Sequence, residues 1–354
     1  MSRPTVNDIA REAGVSLATV DRVLNARPGV REKTISAVHD AIARLGYVRD
    51  IAAANLARSR NYRVAVVLPD TESQFVQTLV RALEDAASAA AASRTEVKLL
   101  RSPAEDIHAL AALLSALPGQ DIAGVALMAP ETPIVRDAVR SLRGKGIAVV
   151  ALVSDLPNTE RDHFVGIDSH AAGRTAGVLM GRFLGNRPTR VMVVAQSMLL
   201  RDSIERRRGF DEVMQAEFPQ AEVLQTLETH GSAETLRQIV TETFRNFDGI
   251  GGIYVLGSGH RALAAVMREL GLLGRIVIIG HELTPYTRQA LGLGQIDAVI
   301  TQNVGHLARS ALRVLRAKAD RLPIDEGQEQ IRIEIVIREN LPPEQGDLTK
   351  AEAA

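Results

Sequence analysis

Two patterns of apolar residues divide this chain. Over residues 5–45 they recur at helical spacing, and from residue 62 they gather into short continuous runs. Val6, Ile9, Ala10 and Ala13 share one face, as do Val20, Val23 and Leu24, and this recurrence is that of short amphipathic helices. Thr5 followed by Asp8 reads as a capping box, Gly14 as a left-handed stop and Ser16 as the cap of a second helix. After a turn at Ala26-Arg27-Pro28-Gly29-Val30, residues 32–45 predict a third helix with a stripe of Ile35, Val38, Ile42 and Leu45, ended by Gly46.

The runs beyond residue 62 are 63–68, 123–128, 147–153, 190–195, 252–256, 275–279 and 296–301, with a further strand at 163–167. They are β-branched and unbroken, as expected of parallel strands covered on both faces. Helical stretches at 75–92, 104–117, 134–143, 171–185, 203–216, 233–246, 260–271 and 304–319 separate them. Alternation of this kind predicts an α/β domain of doubly wound parallel sheet. The rhythm breaks at residues 155–168, which favours two smaller sheets over one large one.

Composition and charge narrow the function. Residues 1–60 hold ten Lys and Arg against six Asp and Glu, while the whole chain is neutral, so a basic head precedes an acidic body. Two short helices about a tight turn, in a basic setting, are the helix-turn-helix that lays its second helix in the major groove of DNA. With no Cys and eight scattered His, neither a disulfide framework nor a metal site is expected, and no cofactor is implied. No apolar run approaches the ~18 residues that span a bilayer, and no signal-peptide core opens the chain. A cytoplasmic protein without membrane partners is the expectation.

Ligands of open α/β sheets sit beyond the carboxyl ends of the strands. The residues there include Gln74, Phe75, Asp155, Asp168, Arg206, Ser258, His260, Glu282 and Gln302. Carboxylate, guanidinium and amide groups satisfy hydroxyls that both donate and accept, so a sugar or polyol is the ligand class this set suits. Asp168 and Ser258 could equally cap the helices that follow them. Gly257-Ser258-Gly259 is not a dinucleotide fingerprint, because position 262 is Ala. Neither a phosphate loop nor a nucleophile elbow occurs, and no catalytic residues are assigned.

The stretch TVNDIAREAGVSLATVDRVLN, Thr5 to Asn25, resembles the opening motif of the lactose-repressor (LacI/GalR) family of bacterial transcriptional regulators. It departs at Asp21, where that family usually has Ser. The resemblance implies a helix-turn-helix headpiece over residues 1–47, touching DNA through Thr5, Ser16, Leu17, Ala18, Thr19, Arg22 and Asn25. It implies a hinge helix at 48–61 whose Leu56 wedges into the minor groove. An effector domain like the periplasmic sugar-binding proteins would follow over residues 62–340. Its N-lobe maps to 62–160 and 291–320 and its C-lobe to 161–290 and 321–340. By the same resemblance Arg206 clamps the effector, Glu282 replaces an Asp, Gln302 reaches the ligand, and Ser258-Gly259 stands where many members have Asn-Asp. The polar tail at 341–354 lacks the leucine heptads of tetrameric members, so a homodimer is implied. The implied function is a repressor controlled by a sugar or polyol. The alternatives are a sugar-binding protein or a sugar-processing enzyme of the same α/β fold.

Overall fold

The computed structural model describes residues 4–24, 28–45, 61–92 and 94–343, and the chain divides into two compact units, Met1–Arg60 and Asn61–Ala354. Asn25, the stretch at 48–60 with Leu56, and most of the polar tail lie outside the described residues.

In the first unit the helices are α1 (Val6–Glu12), α2 (Leu17–Leu24) and α3 (Glu32–Leu45). Thr5 and Asp8 form the capping box: the Asp8 amide donates to Thr5 Oγ1 at 3.4 Å and the Thr5 amide to Asp8 Oδ2 at 2.8 Å. Gly14 takes a φ of 65°, which lets the chain turn sharply into α2. Ile9, Val20, Val38 and Ala41 form a fully buried core. Ile35, expected on the inner stripe of α3, is only half-buried and lies outside that core, whereas Ala41 is fully buried in it.

The second unit opens with β1 (Tyr62–Asp70), α4 (Gln74–Ala91), β2 (Thr95–Pro103), α5 (Ile107–Ala116), β3 (Gly124–Leu127), α6 (Pro133–Gly144), β4 (Ala148–Leu152) and β5 (His163–Val165). These strands make a parallel sheet in the order β2-β1-β3-β4-β5. Then come α7 (Ser169–Leu184), β6 (Thr189–Ala195), α8 (Arg201–Glu217), β7 (Ala221–Glu228), α9 (Ala233–Asn246), β8 (Ile250–Val255), α10 (His260–Glu269), β9 (Val277–His281), α11 (Pro285–Gly292), β10 (Ala298–Gln302), α12 (Val304–Ala319), α13 (Glu326–Glu329) and β11 (Ile333–Val336). The second sheet has the order β11-β10-β9-β8-β6-β7, with β11 alone antiparallel. Helices cover both faces of each sheet, and one continuous apolar core includes Val64 and Val66 of the first lobe and Val191 and Val193 of the second.

The crossings between lobes differ from expectation. The loop at 155–160 does not leave the first lobe; it turns back to add β5 beside β4. The chain first crosses after Val165. β10, expected in the N-lobe from residue 291, pairs with β9 in the second sheet. It is α12 that returns, packing on α4, β3 and β4. Crossings thus sit at strand ends, beside the cleft, rather than where the sequence turns polar.

Three strands were not anticipated: β2, β7 and β11. Each lies at the edge of its sheet. Edge strands face water on one side, so Glu96, Lys98 and Arg101 interrupt the apolar run of β2, and Gln225 and Glu228 that of β7. The helix α11 also went unread, although Thr284 caps it and Pro285 occupies its first turn.

Candidate functional site

Two places concentrate chemistry. In the first unit, α2 carries Leu17, Ala18 and Arg22 on its exposed side, while Val20 is buried and Val23 and Leu24 pack on the core. Half of the Leu17 surface is accessible. Ser16 accepts from the Thr19 amide at 3.2 Å and its hydroxyl meets that of Thr19 at 2.9 Å, so these two side chains fix the entry to α2. Asp21 is half-buried and engaged in an interaction of its own rather than free.

In the second unit, the carboxyl ends of β8, β9 and β10 and the first turns of α8 converge. Arg206 projects from α8 and is 2% exposed. Its Nη1 donates to the Leu256 carbonyl at 2.8 Å and its Nη2 to Glu282 Oε1 at 3.3 Å. Gln302, the last residue of β10, donates from Nε2 to the same Glu282 oxygen at 3.3 Å. Arg206, Glu282 and Gln302, predicted separately, form one buried cluster. Glu282 follows β9 in a left-handed conformation, φ 70°, and this turn directs its carboxyl toward the guanidinium. Asp202, four residues before Arg206 on α8, joins them with Oδ2 3.7 Å from Nη1. Sequence reading missed Asp202; its i, i+4 spacing to Arg206 was the available signal.

Several buried polar atoms here have no hydrogen-bond partner in the protein: Arg206 Nε, Asp202 Oδ1, Glu282 Oε2 and Gln302 Oε1. Buried polar groups are nearly always satisfied, because an unmade bond costs about 1–3 kcal/mol. A donor and three acceptors left open at strand ends are what a small polar ligand would complete. Burial raises the Glu282 carboxyl above its ordinary 4.5, opposed by the Arg206 guanidinium and the Gln302 amide. Beneath the cluster, the Tyr254 hydroxyl and His281 Nε2 are 2.8 Å apart, and Phe210 stacks on Tyr254 with ring centroids separated by 4.3 Å. Burial pushes His281 well below 6.5, helped by Arg206 and His260, and pushes His260 down to about 4.

The other predicted residues are placed differently. His260 is buried with its Nε2 against Gly280, so it belongs to the layer under the cluster. Ser258 does not cap α10; its hydroxyl donates to Gln196 Oε1 at 2.5 Å. Asp168 caps α7, accepting from the Ala171 amide at 2.9 Å, and Asp155 is held by both sides of the Arg161 guanidinium. Gln74 reaches across the lobes, its Oε1 accepting from the Tyr286 amide at 3.4 Å, and Phe75 packs on the apolar core. A cavity of about 1180 Å³ opens beside the cluster, lined by Asp155, Asp168, Asp202 and Glu205 and by the crossing segments of both lobes. Asp202 is the cluster's link to it. Among the described residues, no group of three or more His, Asp or Glu is arranged to hold a metal ion, and no helix is long and apolar enough to cross a membrane.

Comparison with known proteins assigns both units. Residues 5–50 match the model of the bacterial regulatory proteins, lacI family, and residues 64–322 that of the periplasmic binding protein domain. The chain is similar to catabolite control protein A of Priestia megaterium, with 31% identity over 168 residues, 48% of each chain. It is also similar to the HTH-type transcriptional regulator RegA of Clostridium saccharobutylicum, with 47% identity over 81 residues, 23% of this chain and 24% of the other. These matches span half or less of the relatives' length. Among solved structures, the glucose-galactose binding protein GanP of Geobacillus stearothermophilus superposes with a TM-score of 0.71 at 18% identity, over 80% of this chain and 100% of that one. A solute binding protein of Burkholderia graminis in complex with D-arabinose does so with a TM-score of 0.71 at 21% identity, over 79% and 96%. These likenesses establish the periplasmic-binding-protein fold of the second unit.

Proposed function

Over residues 64–322 this chain belongs to the periplasmic binding protein domain family, preceded at residues 5–50 by a helix-turn-helix that matches the lacI family of bacterial regulatory proteins, and from that premise we propose that it is a cytoplasmic transcriptional repressor, not an enzyme, controlled by a small polyhydroxylated effector. The observation that carries the effector half is the buried Arg206–Glu282–Gln302 cluster with its open donor and acceptors. Those groups match the paired donor and acceptor of a hydroxyl and resemble no nucleophile or acid–base pair.

The DNA half rests on α2. Arg22 is exposed and suited to paired bonds with guanine O6 and N7, while Leu17 and Ala18 offer apolar contact to thymine methyls. Thr5, Ser16, Thr19 and Asn25 would hold the headpiece on phosphates. We take the active species as a homodimer on a pseudo-palindromic operator, since two-fold protein symmetry is matched by two-fold DNA. Residues 48–61 then act as the hinge, with Leu56 as the minor-groove wedge. Effector and operator must influence each other's affinity by one factor.

The test has two steps. A thermal-shift screen of sugars and polyols identifies the ligand, since one that binds only the folded state raises its melting temperature. Operator sequences selected from a random pool are then titrated with and without it. Recovery of a palindromic site whose affinity changes with effector is the expected result. Binding of sugar with no DNA selection would favour a plain sugar-binding protein, and turnover of the sugar would favour an enzyme.

A further inference from the structure

Three charged side chains meet in the buried part of the cleft, and they do not balance. Arg206 brings one positive charge; Asp202 and Glu282 bring two carboxylates. The other groups packed against them are Gln302 of β10, Tyr254 of β8, His281 of β9 and His260 of α10. Burial keeps both histidines neutral at physiological pH. Two of the guanidinium's nitrogens are already engaged, by the Leu256 carbonyl and by Glu282, whereas one oxygen of each carboxylate, Asp202 Oδ1 and Glu282 Oε2, has no partner. The cluster therefore offers more acceptor than donor and, with Glu282 ionised against the guanidinium 3.3 Å away, more negative charge than positive.

The surroundings lean the same way. The cavity that Asp202 lines carries six carboxylates and two arginines on its wall. Asp155, Glu205 and Glu329 are bound to Arg161, Arg201 and Arg313, and Asp202 lies beside Arg206, which leaves Asp168 and Glu326 against Arg332, still an acidic balance.

Resting on the reading of the cleft as a polyol site, we propose that the effector is a polyhydroxylated amine, an amino sugar being the simplest, whose ammonium lies against Asp202 and Glu282. A neutral sugar would complete the hydrogen bonds and leave a buried charge uncompensated, which is costly in a poorly solvated site. A sugar acid would set a third carboxylate beside two, with few free donors to receive it. An ammonium supplies three donors and the missing charge together.

The experiment uses the full-length protein and matched triplets: D-glucose, D-glucosamine and D-glucuronate, and the galactose, galactosamine and galacturonate set. Each is titrated by calorimetry near neutral pH. The amine member of a triplet should bind at least about tenfold more tightly than its hydroxyl parent, and the acid should not bind measurably. Glu282→Gln and Asp202→Asn, each removing one charge at constant shape, should both shrink that preference. If one variant does not fold, the other still reports. A hydroxyl or acid member that binds as well as the amine overturns this inference and leaves the polyol site standing. No binding by any member of either triplet overturns both.

Discussion

A Cβ on Gly173 of α7 would lie 2.0 Å from the carbonyl oxygen of Arg206 on α8. The reverse contact is as tight: a Cβ on Gly209 would lie 2.1 Å from the His170 carbonyl oxygen. Backbone on backbone, with no side chain between, sets the height at which the Arg206 side chain reaches into the cleft. Gly173→Ala should therefore force α8 outward, costing about 1–3 kcal/mol of stability and weakening the effector although residue 173 touches no ligand. Gly119→Ala, which meets nothing within 4 Å, is the control. Denaturant unfolding and effector titration of both variants check this; equal affinities in the two would mean that Arg206 is positioned otherwise.

Arg206→Ala should reduce effector affinity by on the order of 1.5–3 kcal/mol, because hydrogen bonds to a charged group are the strong ones. It also strands the buried Glu282 carboxyl, so stability should fall. The double variant Arg206→Ala/Glu282→Gln should recover part of that stability but none of the affinity. A double variant no more stable than the single one would show that the ion pair is not what the arginine contributes.

The buried histidines give stability a pH dependence. His260 is lowered from 6.5 to about 4, so between those values the unfolded chain binds a proton that the folded chain refuses. Its contribution is complete above pH 6.5 and is lost as pH falls toward 4; His281 acts in the same direction. Glu282, raised above 4.5, has the opposite sign: its contribution is complete below 4.5 and is lost as pH rises through the raised value. His260→Asn isolates one of the three. The stability gap between parent and variant should narrow by about 2 kcal/mol from pH 6.5 to about pH 5, read from urea unfolding at the two pH values. A gap independent of pH would mean that His260 is protonated in the folded state.

On the DNA side, Arg22→Ala should lose roughly 1–3 kcal/mol of discrimination at one base pair of each half-site. Affinities for an operator and its single-base variants measure it. Unchanged ranking of those variants would exclude Arg22 as a base reader.

Leu56→Ala should leave the fold and effector binding intact while weakening specific operator binding and reducing the DNA bend. Circular permutation of the bound site measures the bend, and a parent-like angle with parent-like affinity would remove the wedge.

What the sequence alone determined follows from locality. The capping box at Thr5 and Asp8, the left-handed Gly14 and the core of Ile9, Val20 and Val38 depend on spacings of a few residues, and they were legible one by one. So were the central strands, whose two covered faces demand unbroken apolar runs. Arg206, Glu282 and Gln302 were legible as strand-end residues and as matches to a family pattern. Tertiary structure alone decided that these three meet at one carboxylate oxygen, that Asp202 joins them, and that Asp155 is taken up by Arg161. It also decided where the chain crosses between lobes and that β2, β7 and β11 exist as edges. Residues separated by 76 and 20 positions in the chain bond only because two sheets place strand ends and a helix start side by side, and no local spacing encodes that juxtaposition.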